Sequence, residues 1–338
     1  MVSNYRVLSL FSGIGGMDVG FAEECVVHQD SVPEEWVAKK ATTPGFVHLK
    51  RLPFETVFQN DILPEAKRLA DLNGWSHNYV LEDIRTLLAE NYAFPSADVV
   101  TGGFPCQDFS HAGKRQGFDS QRGTLYQAFV EVVRRVRPKV FVAENVNGLL
   151  TMKSNPIDTI VADFSAVGYT VRYRLVKCEE HGIPQTRWRV IILGTRSDLP
   201  SEWSLEFENE RSVSLAPYFA HLEEPSQTSD PAQKVYSKAA RLDKGQGQKA
   251  VDMLQPGPTM RAEHHGNIEF RRHGENERRL TVREAALIQT FPPECVLTEQ
   301  RLSMVGYKPI GNAVPPLLGY LVGRKVAGLM RSSEVADE

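Results

Sequence analysis

Residues 5–18, YRVLSLFSGIGGMD, decide the fold. Tyr5 to Leu10 form an apolar run of strand length, and Gly13-Ile14-Gly15-Gly16 turns the chain at once into the short helical pattern MDVGFAEE. The reading is strand, tight turn, helix. Glycines at such a turn let the backbone approach a ligand that a β-carbon would exclude. Asp18 stands where a dinucleotide fingerprint wants its last glycine, so the turn suits a nucleoside better than a phosphate pair.

Working outward, the unit recurs. TVFQND precedes PEAKRLADL, YVLED precedes IRTLLAENY, and ADVVTGG and PKVFVAEN add two more strands that end in polar or acidic residues. Strand alternating with helix predicts a mostly parallel sheet covered on both faces, an α/β fold of Rossmann-like kind. Ligands collect at the carboxyl ends of such strands, and those ends carry Ser12, Asp61, Asp83, Gly103 and Glu144. Two later runs, YTVRYRLV and WRVIILGT, are joined by HGIPQ and predict an antiparallel hairpin at the sheet's edge. From about residue 197 the pattern fades into a polar stretch punctuated by Pro and Gly, then helical periodicity resumes at TVREAALIQTF and PPLLGYLVGRKVAGLM. The expected organisation is a catalytic and cofactor-binding domain over 1–196 to which 304–331 returns, a smaller irregular domain over 197–303, and a disordered tail at 332–338.

The 338 residues include 39 Lys plus Arg and 42 Asp plus Glu, a net charge of −3, with 41% apolar residues. That composition excludes collagen-like, disordered and supercharged classes. No stretch approaches the roughly 18 to 20 consecutive apolar residues of a membrane span, and the N-terminus lacks a cleavable leader pattern, so a soluble cytoplasmic protein is expected. Cys25, Cys106, Cys178 and Cys295 lie far apart, in no metal-ligand spacing, so no metal is expected.

Cys106 follows Gly103-Phe104-Pro105 at a strand end and heads a loop punctuated by Gly113, Gly117 and Gly123. Free cysteines are commonly inert core residues, but this position puts the thiol at the ligand edge beside Lys and Arg that favour a thiolate. Glu144 closes the adjacent strand and brings a proton-transferring carboxyl to the same edge, the lesser alternative being a Glu that caps the following turn. Gln185, Arg187 and Arg189 alternate after the hairpin turn and so share one face, a pattern suited to anion or base-edge contacts.

The ordered blocks FSGIGG (11–16), GFPCQ (103–107), ENV (144–146), QTRWR (185–189), RLTVRE (279–284) and GNAVPP (311–316) closely resemble the C5-cytosine DNA methyltransferases of the bacterial restriction-modification type. They span nearly the whole chain. The resemblance implies that Cys106 adds to C6 of a cytosine, that Glu144 protonates N3, and that Arg189, with Arg187 beside it, holds O2. It implies S-adenosyl-L-methionine as cofactor, held by Phe11, Ser12, Gly13, Gly15 and Gly16, by Asp61 and Ile62 at the ribose, and by Asp83 and Ile84 at the adenine. Pro105 and Leu125 complete the pocket, with Asn312 and Ala313 at the methionine end.

The substrate implied is double-stranded DNA with the target base flipped out. Ser110, Lys114, Arg115 and Arg122 on loop 107–123, together with Gln185 and Thr259, are the expected DNA contacts. The 197–303 region would recognise the DNA sequence, and its Lys234, Lys238, Arg241, Lys244, Lys249, Arg271, Arg272, Arg278 and Arg279 supply local positive charge that the whole chain lacks. A monomer suffices for the reaction, and a companion endonuclease acting on the same site fits the family type. Two departures stand out. Residues 22–53 are an insertion, expected at the sheet's amino edge and away from the ligand, and His181 replaces a usual Tyr or Phe. A tRNA cytosine-5 methyltransferase, which typically shows Pro-Pro-Cys-Gln and Cys-Phe-Thr elements absent here, stays open as an alternative. So do a catalytically inactive DNA-binding module and a nicotinamide oxidoreductase.

Overall fold

The computed structural model describes residues 4–105, 125–152, 155–199, 202–262, 268–273, 276–298 and 306–337. The chain opens with β1 (Tyr5–Leu10) and α1 (Gly16–Phe21), then forms three short strands, β2 (Val26–His28), β3 (Val37–Lys40) and β4 (Phe46–Leu49). It continues through β5 (Phe54–Asp61), α2 (Pro64–Leu72), β6 (Tyr79–Leu81), α3 (Ile84–Ala89), β7 (Val99–Gly102), α4 (Leu125–Val136), β8 (Val140–Val146) and α5 (Pro156–Ala166). The long hairpin β9 (Tyr169–Lys177) and β10 (Trp188–Arg196) completes the main sheet.

Seven strands lie in the order β6-β5-β1-β7-β8-β10-β9. The five from β6 to β8 are parallel, and β10 runs antiparallel to both β8 and β9. From β1 the chain moves outward through β5 to β6, then returns to the opposite side of β1 for β7 and β8. This reversal leaves a crevice beyond the carboxyl ends of β1 and β7, where Leu10 pairs with Gly102, and that is where an open α/β sheet binds its ligand.

The central strands are buried on both faces, which is why they read as continuous apolar runs: Leu8, Leu10, Val99, Val100, Phe141, Val142, Ile191 and Ile192 have almost no exposed surface. On one face they meet α3, α4 and α5, where Phe164 stacks on Phe141 at 4.0 Å between centroids. Burying each such Phe contributes roughly 2–3 kcal/mol. The other face is covered by α1 and by α10 (Pro316–Asp337), the last helix. These two helices touch backbone to backbone, since a β-carbon on Gly20 would fall 2.3 Å from the carbonyl oxygen of Pro316. Helix α10 continues to Asp337, through the stretch that composition suggested as a tail, because no Gly or Pro interrupts the chain after Gly328.

Residues 202–298 build a second region from α6 (Leu215–Phe219), α7 (Pro231–Lys234), the hairpin β11 (Phe270–His273) and β12 (Asn276–Arg279), and α8 (Val282–Ile288). Helix α8 starts in a capping box: Glu284 N donates to Thr281 Oγ1 at 3.0 Å and Thr281 N donates back to Glu284 Oε2 at 2.8 Å. With α9 (Tyr307–Asn312) it buries Leu280, Ala286, Phe291 and Tyr307 around Tyr218 and Phe219. The 22–53 insertion folds as a separate antiparallel sheet, β2-β4-β3, whose Val26 and Phe46 join that same cluster.

Candidate active site

A cavity of about 390 Å³ opens at the crevice beside β1 and β7. Phe11, Ser12, Gly13, Asp61, Ile62, Asp83, Ile84, Pro105, Leu125, Asn312 and Ala313 all line it, as do Glu144, Arg187 and Arg189. Phe11 leaves β1 at φ 53°, a left-handed conformation uncommon for a bulky residue and held here by the surrounding wall.

Asp61 ties the glycine turn to the end of β5. Its carboxylate accepts from Gly13 N at 2.8 Å, Ile62 N at 2.7 Å and Leu63 N at 3.0 Å. A carboxylate has about four acceptor sites, so one remains for a hydroxyl donor in the cavity. Burial raises its pKa against these three hydrogen bonds. Tyr79 donates its hydroxyl to Gly13 O at 2.9 Å and braces the turn from beneath. Asp83 caps α3 and is bound by Arg85, whose hydrogen bonds hold its carboxyl below the usual range. Ile62, 58% exposed, presents a bare apolar surface at the rim, suited to covering a flat ring.

Across the cavity, Arg189 Nε lies 2.7 Å from Glu144 Oε1, and each side chain is only 11% exposed. The second carboxylate oxygen of Glu144 overlies Gly103, where a β-carbon would sit 3.1 Å away. Asn145 Nδ2 donates to Phe104 O at 3.0 Å, which fixes the strand end leading through Pro105 toward position 106.

Arg187 is fully buried and binds backbone: it donates to Met260 O at 2.8 Å, Gly311 O at 3.1 Å and Ala313 O at 3.0 Å. Its Nε has no partner among the described residues. Gln185 is equally buried, donating to Gln289 Oε1 at 2.6 Å and Ile288 O at 3.1 Å while accepting from Met260 N at 2.9 Å. The alternation in QTRWR therefore does not give three residues with one role. Arg189 faces the cavity chamber, Arg187 clamps the segment that carries Asn312, and Gln185 has no atom left to meet DNA.

Residues 5–243 and 208–328 match the C-5 cytosine-specific DNA methylase family. The chain belongs to that family. The Type II methyltransferase M.BspRI of Lysinibacillus sphaericus is 33% identical over 353 residues, 96% of this chain and 81% of that protein. M.BsuRI of Bacillus subtilis is 33% identical over 354 residues, 95% of this chain and 79% of that protein. Among solved structures, the S. pombe Dnmt2 methyltransferase shares the fold with a TM-score of 0.65 over 97% of this chain and 99% of that one, at 18% identity.

Within this C5-methylase frame some expected contacts need correction. Gly15 and Gly16 do not line the cavity. Gly15 takes φ +84° at the N-cap of α1, and a β-carbon on Gly16 would fall 2.2 Å from Val314 O, so both serve the turn and the packing of α1. Thr259 donates its hydroxyl to Thr186 O at 2.6 Å and stays partly exposed beside the hairpin turn. The cations of the second region divide. Lys234, Lys238, Arg241, Lys244 and Lys249 are exposed, whereas Arg278 binds Glu284 at 2.8 and 2.9 Å, Arg271 binds the same carboxylate, and Arg279 is buried on four backbone carbonyls. Those three serve the region's interior.

Cys106, Ser110, Lys114, Arg115 and Arg122 lie outside the described residues. Burial pushes the thiols of Cys25 and Cys178 up to about 12 and raises that of Cys295, so none of the three described cysteines suits nucleophilic attack. The insertion supplies no residue to the cavity wall, as expected of it. It does reach past the amino edge, however: Asn209 Nδ2 bonds both Ser31 O and His181 O at 2.8 Å, and His181 is on the cavity side of the sheet. Sequence reasoning missed Met17, Leu63, Ala66 and Arg85 in the wall. Met17, Ala66 and Arg85 sit in ordinary packing positions on α1, α2 and α3, Leu63 just precedes α2, and only the strand order brings them together.

Proposed function

We propose that this chain is a DNA (cytosine-5-)-methyltransferase that transfers a methyl group from S-adenosyl-L-methionine to C5 of a cytosine flipped out of duplex DNA. The observation that carries the reading is the Glu144–Arg189 pair at the cavity mouth. A pyrimidine presents N3 and O2 as adjacent atoms on one edge, and a carboxyl beside a guanidinium, 2.7 Å apart, is the side-by-side donor set for that edge. The cavity fits the cofactor by size, by the remaining acceptor site of Asp61 and by the apolar rim at Ile62.

When bound, the cofactor supplies an electrophilic sulfonium methyl group. The chain does the rest. Cys106, following Pro105 out of the wall, adds as thiolate to C6 while Glu144 gives a proton to N3 and Arg189 stabilises O2. Carbon 5 is then nucleophilic and would take the methyl group, leaving a neutral thioether. Loss of the C5 proton to a base, expulsion of the Cys106 thiolate and return of the N3 proton to Glu144 restore the ring. Arg187 holds the backbone at 311–313, so its part is positional. Lys114, Arg115 and Arg122, which follow Cys106 in sequence, and the exposed lysines of the second region would meet phosphates.

The match to the C-5 cytosine-specific DNA methylase family, beside 33% identity to two Type II methyltransferases over almost the whole chain, supports DNA over tRNA as substrate. A companion endonuclease, cytoplasmic location and action as a monomer belong to the same reading. No helix among the described residues is long and apolar enough to cross a membrane. Bisulfite sequencing of DNA treated with the purified protein and cofactor tests it, with 5-methylcytosine in a fixed context as the expected result. A duplex carrying 5-fluorocytosine should trap a covalent adduct that Cys106→Ser fails to form. Methylation of tRNA alone, or an adduct that survives Cys106→Ser, would overturn the assignment.

A further inference from the structure

We propose that the 22–53 insertion is a brace for the β9–β10 connection, and that Asn209 and His181 are positioning residues for the arginines carried at its end; this rests on the methyltransferase reading above. Three separate segments meet at one buried point. Ser31, at the turn after β2, is fully buried and its carbonyl accepts from Asn209 Nδ2 at 2.8 Å. The same nitrogen bonds His181 O at 2.8 Å, and His181 Nδ1 donates to Asn209 O at 2.7 Å. Gly182 N donates to Arg211 O at 2.7 Å, and Arg211 N to Glu180 O at 2.9 Å.

Contact at this point is too close for a side chain. Gly182 adopts φ +78°, and a β-carbon on it would lie 2.0 Å from Ser31 O. Ser31 Oγ and Tyr218 OH, 2.6 Å apart, carry the brace on to α6, and the ring of His28 sits 5.5 Å from that of Tyr218. The two departures from the family pattern, an insertion and a histidine in place of Tyr or Phe, are thus parts of one contact. A Phe or Tyr ring has no Nδ1 donor for Asn209 O.

The connection spans Cys178 to Arg187 and is closed by Cys178 N donating to Arg187 O at 2.9 Å. Its tip is held by the insertion, and its far end presents Arg187 to Gly311 and Ala313 and, one strand residue on from Trp188, Arg189 to Glu144. Tilting the tip shifts that end against a pair whose value depends on hydrogen-bond distance.

The test uses the full-length protein and a 5-fluorocytosine duplex with S-adenosyl-L-methionine. Asn209→Ala and His181→Phe should lower kcat and the adduct-forming rate by about 5- to 10-fold, with the KM for DNA and the cofactor Kd within about twofold of wild type. His181→Asn keeps a donor near the Nδ1 position and should recover most of the His181→Phe loss. A role in stability alone would reduce the amplitude of adduct formed and leave its rate unchanged. That outcome, or wild-type rates in both variants, would overturn the brace. If Asn209→Ala does not fold, the His181→Phe and His181→Asn pair decides the question. A wild-type protein that forms no adduct would count against the methyltransferase reading, which the variants do not address.

Discussion

Arginines do opposite work in the two halves of the molecule. At the cavity, Arg189 pairs with Glu144 in the wall of the chamber. In the second region, Arg278 and Arg271 enclose the buried carboxylate of Glu284, and Arg279 spans the carbonyls of Ala239, Ala240, Gly247 and Ile268. One region sets its paired charges in a cavity wall, while the other uses them in holding an irregular backbone together. Burial opposes the charge of Glu284, yet the hydrogen bonds of Arg278 and the charges of Arg278 and Arg271 keep its pKa low. A region poor in regular strands has many unpaired carbonyls, and a five-donor guanidinium is an efficient partner for them.

The sharpest way to break this contrast is Arg279→Met. It strands several buried carbonyls and should cost about 3–5 kcal/mol in urea unfolding, while the folded fraction keeps its turnover per active site. A variant as stable as wild type would show that the carbonyls do not need it. Arg189→Met should do the converse, lowering kcat by about 10²- to 10³-fold with a smaller loss of unfolding free energy than Arg279→Met. Loss of stability in place of rate would place Arg189 with the structural group.

Asp18 extends the comparison to pH. Burial pushes its carboxyl up to about 6, against hydrogen bonds from Ser9 and Gln59. An acid whose folded pKa exceeds its unfolded value near 3.8 loses stability as pH rises from about 4 to about 6. Asp18→Asn should therefore gain up to about 3 kcal/mol at pH 8, shrinking toward zero below pH 4. Denaturant melts at both ends of that range check it, and a pH-independent difference would refute it. The smallest effect concerns the exposed cations. Lys249→Ala should reduce the slope of log affinity for DNA against log salt by about 1, whereas Arg278→Met should leave the slope unchanged.

Much of this was legible in the residues. The five parallel strands and the ligand edge follow from apolar runs that each end in a polar residue, and the capping box of α8 is visible in Thr281 and Glu284. What escaped depends on partners distant in sequence. That β10 inserts between β8 and β9, and does not simply extend the edge, is set by long-range pairing with Val140–Val146. Gln185 looked like a base-reading amide because its alternation with Arg187 and Arg189 is real. Its burial comes from Met260 and Gln289, 75 and 104 residues away. The cationic census failed for a similar reason: charge counts do not say which guanidinium groups face inward. The insertion's strands are only 3–4 residues each, too short for alternation to announce them.

Helix α10 makes the pocket depend on parts of the chain distant in sequence. Its first turns press on α1, and the segment that leads into it, 311–314, forms one wall of the cavity. Both α1 and one side of the pocket therefore depend on segments far downstream in sequence. The glycine turn and Asp61 belong to the first strands and turns of the sheet, yet without residues 311–314 the chamber they face has one wall missing.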